Sequence, residues 1–424
     1  MKVYKNPKNW DELILRPADQ NPEFRYKIRQ IFDQVQNFGD EILKRYTRAF
    51  DRVEIDDFAL SKSEYAEAQV SSQLASAIEL ARNNIEKFHQ AQKEEFEIVE
   101  TVPGVKCWRK SLPVERVGLY IPGGTAPLIS TVLMLGVPAK LAGCREIVLC
   151  TPPGPDGQIN PAIIYTAKVL GIEKIFKVGG AQAIAAMTFG TETIPRVDKI
   201  FGPGNQFVTA AKELAQQYGV AIDMPAGPSE VLVIADESAN PAFVAADLLS
   251  QAEHGADSQV VLLTDDEGLV STVKKELEFQ LENLPRKDIA EKALENSYYA
   301  VFDDLETCMQ FSNRYAPEHL IIQTTRDNEL AEKVKHAGSV FLGPYSCESL
   351  GDYASGTNHT LPTNGYARNY SGVSLDSFIK KVTFQEISSL GIQNIGPAVK
   401  ILAEAEQLEA HKRSVSIRLK SLEP

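Results

Sequence analysis

Beginning near Val114, the chain repeats a short apolar run, a turn rich in glycine or proline, and a segment with helical periodicity. Four apolar runs of this kind lie at residues 117–121, 146–150, 174–178 and 199–201. A second series has apolar runs at 231–235, 259–264, 299–302, 320–323 and 339–342 and helical segments at 241–254, 269–281 and 305–315. Strands that alternate with helices in this way predict right-handed crossovers and parallel sheets.

We therefore predict an α/β fold with two Rossmann-like, doubly wound parallel-sheet globules and small N-terminal and C-terminal helical segments. The expected domains are an N-terminal segment at 1–20, a first globule formed by 21–115 with 230–373, a second globule at 116–229, and a C-terminal segment at 374–424. Residues 1–110 are expected to be mainly helical, and a final helix is expected to begin near Pro397. About thirty residues rich in Gly, Ser, Asn and Pro follow Gly343, and such long loops are usually functional or disordered.

Composition narrows the class of protein. The 424 residues are 43% hydrophobic, and 57 acidic against 44 basic residues give a net charge of −13. This charge argues against a nucleic-acid partner or an anionic membrane surface and leaves small molecules as the expected ligands. The longest apolar stretch, 128–139, contains Gly136 and Pro138 and is too short and too broken to span a bilayer. No secretory signal is visible, and five cysteines without a Cys-x-x-Cys pair favour a reducing cytoplasm.

Two glycine turns are candidates for cofactor binding. The sequences GGAQ at 179–182 and GPGN at 202–205 each lie between a predicted strand and a predicted helix. Free backbone N–H groups at such a turn, together with the helix dipole, favour phosphate or dinucleotide binding. Neither turn is a complete G-x-G-x-x-G, because Phe207 stands where the third glycine belongs. Glycines that merely permit tight turns are the alternative.

Two further motifs combine polar side chains with apolar surroundings. On a helical wheel Gln251 lies on the apolar face of the helix at 241–254, with His254 one turn on. This pair is either a pair of ligands to one metal or a core pair bonded to backbone carbonyls. Glu318 and His319 directly precede the strand predicted at 320–323. They follow Pro317, which is expected to keep the backbone of Ala316 extended. A carboxylate beside an imidazole suits general acid–base chemistry, and a solvated Glu with a packed His is the alternative.

The remaining candidates lie in the long loop and near the C-terminus. The loop contains Glu348, Asp352, Asn358 and His359, and the final helix contains Glu406 and His411. Asp352 suits a hard oxygen ligand, whereas His411 beside two basic residues also fits an exposed helical position. His89 and His336 lie in charged stretches and are expected to face solvent.

Six collinear motifs together resemble the histidinol dehydrogenase family. They are VGLYIPGG at 117–124, GPGN at 202–205, IDMPAGPSE at 222–230, LSQAEHG at 249–255, YAPEHL at 315–320 and GDYASGTNH at 351–359. The resemblance implies a cytoplasmic, homodimeric enzyme of histidine biosynthesis with one Zn²⁺ per subunit. Such an enzyme oxidises L-histidinol through L-histidinal to L-histidine and reduces two NAD.

The resemblance also implies the site residues. The zinc ligands would be Gln251, His254, Asp352 and the partner subunit's His411, and Tyr120, Gln182 and Asn205 would line the NAD site. Substrate contacts would come from Ser229, His359 and Glu406, together with the zinc ligands, Glu318 and His319. His319 is the expected base for the hydroxyl proton, and Glu318 is expected to activate the water that hydrates the aldehyde.

Other activities remain open at this stage. The same zinc and NAD apparatus would serve another small polar alcohol, such as a sulfonated propanediol, although Ser229, His359 and Glu406 suit a cationic substrate better. A metal-dependent hydrolase and a catalytically silent binding protein are alternatives of a different class. A covalent thiol route is disfavoured, because Cys347 is the one cysteine close to any of the acid–base motifs.

Overall fold

The computed structural model describes residues 1–16, 22–123 and 127–423. Its strands are β1 (Lys2–Lys5), β2 (Val99–Val102), β3 (Val105–Pro113), β4 (Arg116–Tyr120), β5 (Glu146–Thr151), β6 (Lys174–Lys177), β7 (Lys199–Phe201), β8 (Ala221–Ile222), β9 (Glu230–Ala235), β10 (Gln259–Thr264), β11 (Tyr298–Val301), β12 (His319–Gln323), β13 (Ser339–Leu342) and β14 (Ile379–Ile387). Its α-helices are α1 (Trp10–Leu13), α2 (Pro22–Tyr46), α3 (Lys62–Glu67), α4 (Ser72–Gln90), α5 (Ile129–Ala142), α6 (Pro161–Val169), α7 (Gly180–Phe189), α8 (Gln206–Ala215), α9 (Pro241–Ala252), α10 (Glu267–Glu282), α11 (Lys287–Glu295), α12 (Leu305–Tyr315), α13 (Asp327–Ala331), α14 (Glu348–Tyr353), α15 (Ser389–Ala405) and α16 (Glu409–Lys420). Gly124 of the first motif and residues 17–20 of the predicted N-terminal segment lie outside the described residues.

Two parallel sheets form the centre of the fold. One has the order β6-β5-β4-β7-β8, and the other has the order β1-β11-β10-β9-β12-β13. In both sheets the strand order reverses beside the first strand of its series, β4 or β9, as in doubly wound folds. Apolar clusters cover both faces of each sheet, which explains why the central strands are continuous apolar runs. The predicted parallel α/β fold is confirmed.

The N-terminal helices pack differently from the prediction. Ile28 and Phe32 of α2 share an apolar cluster with Ile184, and Ile85 of α4 shares another with Val117. Both helices therefore cover the five-stranded sheet, whereas the sequence analysis grouped them with 230–373. Helix periodicity shows which face of a helix is apolar but does not show which sheet covers that face.

The chain separates into two compact units. One comprises Met1–Ala91 and Val114–Phe378, and it contains both parallel sheets. The other comprises 92–113 and 379–424; it contains the antiparallel sheet β14-β3-β2 together with α15 and α16.

The second unit corrects three predictions. Strands β2 and β3 lie where helix was expected, because their largely exposed side chains give no clear period of two. Strand β14 was missed for the same reason. The final helix begins at Ser389, capped by the Ser388 hydroxyl, and Pro397 lies inside it. The chain then breaks at Gln407, which has a positive φ of 59°, before α16 begins.

Among the described residues, no helix combines the length and the apolar character that crossing a membrane requires. All five cysteines are free thiols.

Candidate active site

Polar residues gather at the carboxyl edge of the five-stranded sheet. Tyr120 ends β4, Gly180 begins α7, and the turn at 202–205 follows β7. A cavity of about 1330 Å³ opens there, and Tyr120, Gln182 and Asn205 all line it. Ligands of doubly wound sheets bind at this edge, beside the strand where the order reverses.

Close backbone approach builds this cavity. The Gly180 N–H donates to the Tyr120 hydroxyl at 3.1 Å. A Cβ on Gly202, whose φ is +131°, would lie 2.1 Å from the Tyr120 carbonyl oxygen, so the turn admits only glycine. Helix α7 begins without a side chain of its N-cap residue bonded to it, so apart from the Gly180 N–H, which donates to Tyr120, its first N–H groups have no side-chain cap. The tight-turn interpretation of Gly202 is therefore correct, and the turn also lies beside the cavity.

A buried ion pair that the sequence analysis missed fixes the Gly202 turn. Lys212 and Asp223 are paired and almost fully buried. The Lys212 ammonium donates to the Gly202 carbonyl at 2.8 Å, and Asp223 accepts from the Gly202 N–H at 2.8 Å. A lysine on the apolar face of α8 was the available signal, because a buried charge requires a partner.

The six-stranded sheet carries its polar cluster at the opposite, amino edge. Glu230 begins β9 and His319 begins the neighbouring β12. The Glu230 N–H donates to Glu318 Oε2 at 2.8 Å. Burial raises the pKa of Glu318, although the His319 charge opposes the shift. The adjacent Glu318 and His319 thus lie at a strand entrance as the sequence predicts.

Gln251 is 1% exposed and contacts this pair. Its Nε2 donates to the Glu230 carbonyl and to Glu318 Oε2, both at 3.3 Å. Carbonyl and carboxylate oxygens only accept, so the amide nitrogen must face them. The amide oxygen, Oε1, is consequently buried without a hydrogen-bond partner.

The His319 ring is held from one side. Its Nδ1 lies 3.1 Å from the Glu230 carbonyl oxygen, to which it donates when it carries the hydrogen, and 3.2 Å from the Gln251 amide nitrogen. Its Nε2 faces Asp352 Oδ1 at 3.4 Å, and neither atom has an aligned hydrogen-bond partner. Burial lowers the pKa of His319, but the carboxylates of Glu318 and Asp352 outweigh burial and raise it well above its ordinary value.

Asp352 also orients His359. The His359 Nδ1 lies 2.9 Å from the Asp352 carbonyl oxygen, and its Nε2 lies 3.2 Å from the Thr131 hydroxyl. Burial raises the pKa of Asp352, but the neighbouring His319 reverses the shift, so that the net pKa is below its ordinary value. His254 is exposed after the end of α9, and Ser229 is partly buried directly before β9.

Two local predictions are wrong. His89 is fully buried rather than solvent-facing, with Nδ1 2.8 Å from the Ile85 carbonyl and Nε2 3.5 Å from the Asn358 amide. The partner of His89 lies 269 residues away, which no local pattern reveals. Ala316 is left-handed, with φ 55° and ψ 67°, rather than extended, because it ends α12 and its N–H still donates to Ser312.

The described parts of the chain bring together Gln251, Glu318, His319, Asp352 and His359 in the larger unit. Glu406 and His411 are exposed residues of the smaller unit. No three His, Cys, Asp or Glu side chains among the described residues form a group that could hold a metal ion.

Comparisons with known proteins show the family to which the sequence and the fold belong. The family model for histidinol dehydrogenase matches residues 14–419. The chain is 56% identical over 426 aligned positions to the histidinol dehydrogenase of Bacteroides fragilis and 57% identical to that of Bacteroides thetaiotaomicron, covering 100% of each protein and of this chain. The crystal structure of histidinol dehydrogenase from Elizabethkingia anophelis is 60% identical, with a TM-score of 0.97, covering 100% of this chain and 98% of that one. The chain therefore belongs to the histidinol dehydrogenase family.

Proposed function

We propose that this protein oxidises L-histidinol through L-histidinal to L-histidine, with one Zn²⁺ per subunit and two NAD. The observation that carries the proposal is the pair Glu318 and His319, buried and bonded to the main chain of Glu230 in a chain of this family. A buried acid–base pair beside unpaired oxygen atoms suits the removal of a hydroxyl proton during hydride transfer.

The residues present fit a zinc ion. Gln251 Oε1 and Asp352 Oδ1 are both buried without hydrogen bonds, which is costly for polar oxygen atoms unless a ligand satisfies them. His254 follows Gln251 by about one helical turn, and His411 of the partner subunit would complete the set. When bound, zinc would hold the substrate's imidazole and amine and orient its carbinol carbon.

His319 is the proposed base of the first step. With Nδ1 facing the Glu230 carbonyl, Nε2 is the nitrogen that accepts the hydroxyl proton. The ring must be neutral for this step, so the proton that the Glu318 and Asp352 carboxylates favour on it has to leave before histidinol is oxidised. The carbinol hydrogen leaves with its electron pair as hydride to NAD, which gives the aldehyde and NADH. Once that proton has passed to the aldehyde oxygen during hydration, the same nitrogen is free to accept the proton of the hydrated aldehyde in the second oxidation.

Glu318 is the proposed base for hydration of the aldehyde. It accepts a proton from water while the water oxygen bonds to the aldehyde carbon, and His319 returns the proton of the first step to the aldehyde oxygen. The product is the hydrate that the second NAD oxidises. The Glu230 N–H and the Gln251 amide both donate to its Oε2, which leaves Oε1 for the water.

NAD is proposed to occupy the cavity at the carboxyl edge of the five-stranded sheet. Tyr120, Gln182 and Asn205 line the cavity. The uncapped start of α7 suits the pyrophosphate, because a helix N-terminus carries partial positive charge.

A cytoplasmic homodimer with shared sites is the proposed assembly. In the smaller unit, which carries His411, Ile401, Leu402 and Ile417 are between 61% and 68% exposed. Apolar side chains so exposed are suited to burial against a second subunit. Mixing His254→Ala with His411→Ala subunits should restore about a quarter of wild-type activity, because half the dimers then hold one intact site. No recovery would place each site within one chain.

The main test is the yield of NADH per L-histidinol, measured before and after treatment with a chelator. Two equivalents, lost on chelation and restored by zinc, support the proposal. One equivalent, or none, would overturn it, and NADH formed only with a sulfonated propanediol would assign the alternative substrate.

A further inference from the structure

We propose that Arg16 is a positioning residue for the catalytic pair, acting through Glu230. This inference rests on the proposed roles of Glu318 and His319. Arg16 belongs to the N-terminal segment, far in sequence from every site motif, and lies three residues after Leu13, where α1 ends.

Arg16 and Glu230 form a buried, two-pronged ion pair. The Arg16 Nε donates to Glu230 Oε1 at 3.0 Å, and its Nη2 donates to Glu230 Oε2 at 2.9 Å. Their side chains are only 5% and 1% exposed. Such fork-shaped pairing fixes orientation as well as charge, which a lysine cannot reproduce.

The same guanidinium also holds the segment that precedes the catalytic pair. Arg16 Nη2 donates to the Tyr315 carbonyl at 2.8 Å, and the guanidinium carbon lies 3.5 Å above the centre of the Tyr315 ring. Tyr315 ends α12, and the left-handed Ala316 follows before Pro317 and Glu318. One side chain therefore joins the end of α12 to the start of β9.

The main chain of Glu230 is what holds the catalytic side chains. Its N–H donates to Glu318 Oε2, and its carbonyl accepts from His319 Nδ1. The side chain of Glu230 is held by Arg16 and by the Asn364 N–H, which donates to Oε1 at 2.6 Å. Any movement of the Glu230 carboxylate is thus transmitted through one residue to both members of the pair.

Removal of Arg16 alone would leave the Glu230 carboxylate buried without its cation. A buried charge that has lost its partner is strongly unfavourable, so the carboxylate must move towards water or take up a proton. If it moves, the Glu230 main chain moves with it, and small misplacements of reacting groups reduce rates strongly. Removal of both charges together avoids this conflict.

The test compares Arg16→Met, Arg16→Lys and the double variant Arg16→Met with Glu230→Gln. We expect Arg16→Met to lower kcat about 10- to 100-fold with histidinol and with histidinal, while KM for NAD stays within about twofold. The double variant should recover at least half of the lost kcat on a logarithmic scale, and Arg16→Lys should fall in between. If Arg16→Met is insoluble, the test is the comparison of kcat between Arg16→Lys and the double variant.

Two controls separate positioning from stability. Lys5→Met removes the exposed ion pair between Lys5, in β1 of the same sheet, and Glu267 of α10. This variant should keep the kcat and the Tm of the wild type. Val273→Ala removes packing in α10 and should lower Tm while kcat is unchanged. If Val273→Ala lowers kcat as much as Arg16→Met at equal loss of Tm, or the double variant recovers nothing, the inference is wrong.

Failure of the proposed function has a different signature. If Glu318→Gln and His319→Asn keep wild-type kcat in the same assays, the proposed catalytic roles fail. If those two variants lose activity while Arg16→Met keeps it, the catalytic roles stand and only the inference about Arg16 is lost.

Discussion

The five-stranded and six-stranded sheets share one strand order, yet they gather their candidate functional groups at opposite edges. The carboxyl edge of the five-stranded sheet has glycine turns and an open cavity. The amino edge of the six-stranded sheet has the buried cluster around Glu230. The shared topology therefore does not decide where a site forms.

The carboxyl edge of the six-stranded sheet explains the difference. Asp266 there caps α10 by accepting from two backbone N–H groups, and Asp304 caps α12. Asp236 follows β9 and accepts hydrogen bonds from the N–H and the hydroxyl of Thr325, which follows β12. The strand order reverses between these two strands. These carboxylates already occupy the positions that a phosphate would take and would repel one. In the five-stranded sheet, by contrast, Gly179 precedes α7 and offers no side chain, and α6 and α8 are capped by the uncharged side chains of Asn160 and Asn205.

The largest effect is expected at the amino edge. Glu318→Gln should lower the rate of histidinal oxidation about 10²- to 10⁴-fold, because the amide does not accept the water proton. Oxidation of histidinol to histidinal should be spared by comparison. Single-turnover NADH formation from each substrate measures the two steps, and equal losses in both would remove Glu318 from its proposed role.

At the opposite sheet, Gly202→Ala should weaken NAD binding by at least tenfold and cost about 2–4 kcal/mol of stability, because the new Cβ collides with the Tyr120 carbonyl. Gly219→Ala is the matched control, since Gly219 also has a positive φ, of +80°, but has nothing within 4 Å of its Cβ position. NAD titration measures the affinity of each variant for the cofactor, and thermal unfolding measures its stability. Equal effects of the two substitutions would mean that strain, not the collision, is responsible.

A buried carboxyl group beside the six-stranded sheet should make the stability of the protein depend on pH. Burial raises the pKa of Asp247, which packs on the six-stranded sheet, to about 7. The folded state then holds a proton that the unfolded state releases, so stability falls as pH rises from about 4 through 7. Asp247→Asn keeps an oxygen for the Gln323 donor and should be more stable than wild type at pH 8 by about 1–3 kcal/mol.

Unfolding curves at pH 5 and pH 8 check this prediction. The advantage of Asp247→Asn should be smaller at pH 5 than at pH 8. A constant difference between the two proteins would show that Asp247 does not titrate in this range.

The smallest effect is expected for the aspartates that cap helices at the carboxyl edge of the six-stranded sheet. Asp266→Ala should cost about 1 kcal/mol of stability, because two N–H groups of α10 lose their acceptor. KM for NAD and kcat should not change. A change in KM for NAD would contradict the assignment of the cofactor to the other sheet.

The elements of both parallel sheets were predictable because their strands are buried on both faces. Every residue of β9 and of β10 is buried, and the sequence at 231–235 and at 260–263 is a continuous apolar run. Strand β1 was not predictable, since its four residues are largely exposed and gain their order from pairing with β11.

The candidate site was predictable where a side chain conflicts with its local surroundings. Gln251 on an apolar helix face is such a case, and its burial follows from the helical period alone. Lys212 on the apolar face of α8 was a signal that was overlooked, whereas Arg16 was not recognisable, because its partner Glu230 is distant in sequence. Long-range charge pairing leaves no periodic trace in a single sequence.

The orientation of Gln251 accounts for the choice of an amide at that position. A glutamate there would have the same length and two oxygens, but one of them would meet the Glu230 carbonyl and Glu318 Oε2 at about 3.3 Å, acceptor against acceptor. An amide is a side chain with two unlike ends: one gives a hydrogen to the acid–base pair, and the other offers a lone pair on the far side.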